Sequence, residues 1–155
     1  KRAGLARSSM YQYYPSTDAL LGAALTTLLQ RSRDRMLAAV GAAQTPTERV
    51  TAYIHAAIAD ARDGHGVTPE LSGITMPEVC RDGVRALHAE LLEPLRAALL
   101  DAGVADAETV AVLVQGLVNA AAAAVRHGAD LNRLASATVD LVLRGAGLLT
   151  PAGVR

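Results

Sequence analysis

Between residues 4 and 21 the chain reads Gly-Leu-Ala-Arg-Ser-Ser-Met-Tyr-Gln-Tyr-Tyr-Pro-Ser-Thr-Asp-Ala-Leu-Leu. This is the stretch richest in side chains able to read a nucleic acid. Arg7 and Gln12 are of the types that make paired hydrogen bonds to guanine and adenine edges in a major groove, and Ser8 and Ser9 read either base. Tyr11, Tyr13 and Tyr14 offer hydroxyls to phosphates, and a helix opened by Ser16 offers its first N–H groups to the same charge. The same residues would also build a Tyr-rich helical hairpin packed on a core, and composition alone favours that plainer reading.

The other chemistry-bearing residues do not converge. The histidines are His55, His65, His88 and His127. None is paired at i, i+4, and no Glu-x-x-His stands where a di-metal bundle would need it. Cys80 and His88, eight residues apart, are too far along one helix to share an ion without further ligands. No metal or cofactor is therefore expected. His88 falls within an apolar helical stripe, which suits either a satisfied core histidine or one lining a ligand pocket. Cys80, the single cysteine, reads as a small core residue in preference to a redox sensor. It excludes an intramolecular disulfide and fits a reducing compartment, and with no signal peptide at the start a cytoplasmic protein is expected. There is no nucleophile elbow, no phosphate-cradling glycine loop and no carboxylate pair at a catalytic spacing, so no catalytic residues are assigned and an enzyme is not expected.

Caps and breakers divide the chain into helices, and no stretch alternates with period two for long enough to argue a strand. The expectation is an all-α protein. A short helix at about 7–13 is broken by Pro15-Ser16, and Ser16 caps a long helix to about residue 39 with Leu20, Leu21, Ala24 and Leu28 on one side. Thr45-Pro46-Thr47-Glu48 is a capping box with proline at the first helical position. Its helix, to about residue 62, carries Val50, Tyr53, Ile54, Ala57, Ile58 and Ala61 as a stripe. Thr75-Met76-Pro77-Glu78 repeats the box ahead of a stripe of Val84, Leu87, His88, Leu91, Leu92, Leu95 and Leu99, with Pro94 expected to kink or break it. Asp106 caps a helix to about residue 128. Asp130 caps a last one, striped by Leu131, Leu134, Ala135, Thr138, Leu141, Val142, Gly145 and Leu149.

Hydrophobic residues make up 51% of the 155, which suffices for a sizeable core, but Phe and Trp are absent, so small aliphatics must fill it and helices must approach closely. Only 19% of residues are charged, a hint that some surface is covered by a partner. Residues 1–35 hold six basic and two acidic side chains, net +4, and the remainder is net −4. A basic end on an acidic body is the asymmetry expected when one end meets nucleic acid. The uncharged run Thr109–Val125 is 17 residues. It falls short of a bilayer span and contains Gln115, Gly116 and Asn119, so a helix covered on all sides is expected and no membrane.

The spacing of Gly4, Tyr11, Tyr14, Ser16, Asp18, Leu20 and Leu21 resembles the end of the DNA-binding domain of the TetR family of transcriptional regulators, over about residues 1–29. The rest agrees in helix number and length. The resemblance implies the C-terminal part of a helix-turn-helix DNA-binding domain with its connecting helix in residues 1–36 and an effector-binding and dimerisation domain in 37–155. The missing first helix and most of the second would precede Lys1. It implies a homodimer that binds a palindromic double-stranded DNA operator, most simply as a repressor, and is released by a small hydrophobic effector. Base contacts would fall to Arg7, Ser8, Ser9, Gln12 and Tyr13, and phosphate contacts to Tyr11 and Thr17. Two positions depart from the family: Ala6 stands where Ser or Thr caps the recognition helix, and Thr17 where a lysine supplies charge.

The resemblance also implies that the last two helices pair with their copies through Leu117, Ala121, Ala124, Leu134, Thr138, Leu141, Val142 and Gly145. If the face Val110, Leu113, Val114, Leu117, Ala121 and Ala124 meets the partner, the face Val112, Gln115, Gly116, Asn119 and Ala123 must look into its own subunit. The effector site is then expected among Met36, Tyr53, Ile54, Ile58, Met76, His88, Leu91, Leu92, Gln115 and Asn119, since buried amides need partners. The alternative places Gln115 and Asn119 in mutual hydrogen bonds across the dimer seam. A helical ligand-binding or adaptor protein of this fold that does not bind DNA is the rival for the whole chain.

Overall fold

The computed structural model describes residues 13–14, 16–62 and 78–148. Among them the order is α1 (Thr17–Gly41), α2 (Pro46–Arg62), α3 (Glu78–Asp101), α4 (Ala107–Arg126) and α5 (Leu131–Gly145), with no strand. The protein is all-α, as its periodicity predicts.

The starts follow the sequence. Ser16 is extended, and its hydroxyl accepts from the Ala19 N–H at 3.0 Å. Thr45 and Glu48 form the reciprocal box that opens α2. Thr45 Oγ1 accepts from the Glu48 N–H at 3.2 Å, while Glu48 Oε2 accepts from the N–H groups of Thr45 at 3.0 Å and Gln44 at 2.9 Å. Asp106 and Asp130 cap α4 and α5 through the Thr109 and Arg133 N–H groups. The second predicted box lies outside the described residues up to Glu78, where α3 begins.

The ends are closed by glycine. Gly103 (φ 81°) and Gly128 (φ 98°) take the left-handed conformation. In each, the N–H of the following residue reaches back five positions, Val104 to the Leu99 carbonyl and Ala129 to the Ala124 carbonyl, both at 3.0 Å. This paired closure is the reason for glycine there. Pro94 does not break α3, which runs through it with the ring buried. The missing N–H deprives only the Glu90 carbonyl of its donor four residues on.

α2 lies at the centre, packing on α1, α3, α4 and α5, and α1 packs on α2 and α3. One core joins them: Met36 from α1, Val50, Tyr53, Ile54 and Ile58 from α2, Leu95 and Leu99 from α3, Val114 and Val118 from α4, and Ala135 and Val142 from α5. Two stripes are rotated from expectation. In α1 the buried line is Leu25, Leu29, Ser32 and Met36, and Ala24 is exposed. In α4 it is Ala107, Ala111, Val114, Val118, Ala121 and Ala122. α4 is also long and apolar enough to cross a membrane, with mean hydropathy 1.5 over its most apolar window, a third of which is buried within the fold.

Candidate functional site

Tyr53 sits on the most buried face of α2 at 2% exposure. Its hydroxyl reaches two acceptors on two other helices, the Leu91 carbonyl of α3 at 3.1 Å and Gln115 Oε1 of α4 at 3.2 Å. Gln115 in turn donates through Nε2 to Asn119 Oδ1, one turn further along α4, at 2.9 Å. Burial drives the Tyr53 phenol well above its ordinary range, so it remains a neutral donor at any physiological pH. The three side chains form a neutral polar relay from the core, through half-buried Gln115, to exposed Asn119. Such a relay carries neutral acceptors and donors and no charge.

Of the residues expected at an effector site, Met36, Tyr53, Ile54 and Ile58 belong to one buried cluster, and Leu91 packs against it. Leu92 is half-buried. Met76 lies outside the described residues, as does the side chain of His88. The structure brings Tyr53, Leu91, Gln115 and Asn119 into one network. It does not place the whole expected wall inside: Val112 and Gly116 are exposed with Asn119, because α4 is turned so that Val114, Val118 and Ala121 enter its own core. The hydrogen bond between Gln115 and Asn119 runs along one helix and within one subunit.

The residues expected at a dimer seam divide in the same way. Ala121, Thr138 and Val142 are buried within the subunit, and Thr138 Oγ1 donates to its own Leu134 carbonyl at 2.8 Å. Leu117, Ala124 and Leu134 are half-buried, while Leu141 and Gly145 are on the surface. α4 and α5, which pack on each other, leave Val112, Leu113, Gly116 and Ala120 on one and Leu141 and Gly145 on the other facing out. Leu113 at 63% and Leu141 at 57% are well exposed for their size.

At the other end of the molecule, Arg7, Ser8, Ser9, Tyr11 and Gln12 lie outside the described residues. Tyr13 is 80% exposed, and Thr17 is exposed at the first position of α1. Among the described residues no three of His, Cys, Asp and Glu gather where they could hold a metal ion.

The sequence reading missed a buried polar cluster. Asp60 of α2 accepts from Ser32 Oγ of α1 at 2.6 Å and is forked by the Arg35 guanidinium. A signal was present. Val50, Tyr53, Ala57 and Asp60 stand at alternating three- and four-residue steps, as do Leu25, Leu29, Ser32 and Met36, so each helix carries a polar residue at an inward position.

No protein-family model matches the chain, and no curated protein or solved structure is matched by it.

Proposed function

We propose that this chain is a subunit of a ligand-responsive transcriptional regulator of the TetR type, most simply a repressor. It would bind a palindromic operator as a homodimer and be released by a small, uncharged and largely hydrophobic effector. The observation that carries the reading is the position of the segment it resembles. Ser16, the turn residue of that segment, caps the 25-residue helix α1, and α1 runs on into an all-helical body. That is the arrangement needed for a reading head on a stiff connecting helix. The neutral Tyr53–Gln115–Asn119 relay supports an uncharged effector. The outward apolar residues of α4 and α5 support a self-association face. Ala6 and Thr17, which supply neither the usual cap nor the usual charge, favour the rival, a sensor of the same architecture without DNA binding.

Selection from a random duplex pool with the full-length protein separates the two. The expected result is a palindrome whose half-sites are about 34–36 Å apart, one helical turn of DNA. Arg7→Ala should then relax preference at one base position at a cost of about 1–3 kcal/mol. No enrichment of any sequence would favour the sensor alone.

A further inference from the structure

Three described side chains are polar and buried: Ser32, Asp60 and Thr138. Thr138 is satisfied within its own helix. Ser32 and Asp60 face each other between α1 and α2, and they carry the described core's one buried carboxylate. Ser32 donates to it at 2.6 Å, Arg35 forks it, and Arg35 Nη2 also donates to Ser32 Oγ at 3.3 Å. Asp60 is buried while the Arg35 side chain keeps 43% of its surface in water. Such a pair is a poor stabiliser, because the cost of taking the carboxylate out of water offsets the attraction, so that a well-packed apolar residue often does as well or better. Its gain is directional. The apolar contacts on either side, through Leu29 and Met36, would tolerate sliding, since burial of apolar surface has no preferred direction. Ser32 and Arg35 are one turn apart on α1 and meet a single carboxylate at one height on α2. A slip of one turn removes all of these bonds at once.

We propose that Asp60, with Ser32 and Arg35, is a register lock that holds α1 at one axial and rotational setting on α2. α1 is about 37 Å long at 1.5 Å per residue, and its far end bears Ser16, Thr17 and the segment before them. The lock therefore sets where that segment is presented. Its consequence for DNA rests on the proposed function; the positional claim does not.

The test uses the full-length protein with Cys80 replaced by serine and spin labels on cysteines introduced at the exposed positions Ala24 of α1 and His55 of α2. Asp60→Leu should leave the thermal midpoint unchanged or raised. It should add a second distance population, displaced by up to about 5 Å, one helical turn. Binding to the duplex enriched by the wild-type protein should weaken about tenfold, as when the competent state is populated about a tenth of the time. Asp60→Asn and Ser32→Ala should give smaller effects of the same kind, and they carry the measurement if Asp60→Leu fails to fold. A single wild-type distance in Asp60→Asn and Ser32→Ala overturns the lock; a second population with unchanged operator affinity leaves the lock standing and overturns its consequence for DNA. A wild-type protein that enriches no duplex defeats the DNA-binding reading instead, and the distance measurement still decides the lock.

Discussion

At the scale of single residues, the Tyr53–Gln115–Asn119 relay is neutral, and the hydrogen bonds that Glu48, Asp106 and Asp130 accept at helix starts are made to carboxylates. Tyr53→Phe removes the donor shared by the Leu91 carbonyl and Gln115 Oε1, so it should lower unfolding free energy by about 1 kcal/mol. Asn119→Ala, at the exposed outer end of the same relay, should stay within about 0.5 kcal/mol. Urea titrations of both variants check this, and equal losses would show that the relay does not grade from core to solvent. At the rim, Glu48 is held below its ordinary carboxylate value by the N–H groups of Thr45 and then Gln44, Asp106 by that of Thr109, and Asp140 by the Arg144 side chain. Each folded-state pKa is depressed. The stability each contributes is therefore present above its unfolded value and lost as pH falls through the folded one. The thermal midpoint should fall with acid below about pH 4.5, the ordinary glutamate value, and Glu48→Gln should make that fall shallower. An unchanged slope in melting curves from pH 6 down to about pH 3 would remove Glu48 from the account.

At the scale of elements, helix starts and stops were legible because they are local chemistry. Thr45-Pro46-Thr47-Glu48, Ser16, Asp106 and Asp130 each satisfy N–H groups within three residues, and Gly103 and Gly128 close their helices with no help from elsewhere. Which face turns inward was less legible wherever both faces are apolar. In α2 the polar side left one choice, and the predicted Val50, Tyr53, Ile54 and Ile58 are buried, with Asp60 beside them. In α4, uncharged from Thr109 to Val125, the pattern does not choose, and the facing is settled by tertiary packing on α2, α3 and α5. Ala107, Ala111, Val114, Val118, Ala121 and Ala122 turn inward on the side of those contacts, and Val112 and Leu113 are left outside. Of the two outcomes expected at Pro94, a kink or a break, the break does not occur. A proline costs a helix one donor, and α3 continues through Pro94 with its ring buried. The candidate site was half legible. Tyr53, Leu91, Gln115 and Asn119 were each identifiable from their faces, whereas the Ser32–Asp60–Arg35 cluster joins two helices and shows only as a break in two apolar patterns.

At the scale of the whole molecule, the outward residues of α4 and α5 carry the argument about assembly. Gly116, Ala120 and Gly145 are small enough to let a facing helix come close, and Val112, Leu113 and Leu141 supply apolar surface around them. Large exposed apolar side chains standing singly are ordinary on monomers, but a set of them around small residues on two adjoining helices is what the proposed self-association requires. A two-fold pairing of this face on itself needs no charge complementarity, and the face offers none. The rotation of α4 changes which substitutions test it. Arginine at Ala121 would enter the subunit's own core and unfold it, so its failure would say nothing about assembly. Leu113→Arg and Leu141→Arg place the charge outside the fold, where an isolated subunit solvates it and a dimer buries it unpaired at a cost of several kcal/mol. Light scattering and sedimentation should find a dimer for the wild type and monomers of unchanged helicity for both variants. If both variants keep the wild-type mass, the face is not where the subunits meet. On the proposed function, loss of the dimer should also lower operator affinity, because a single reading head would forfeit the contacts of the second half-site.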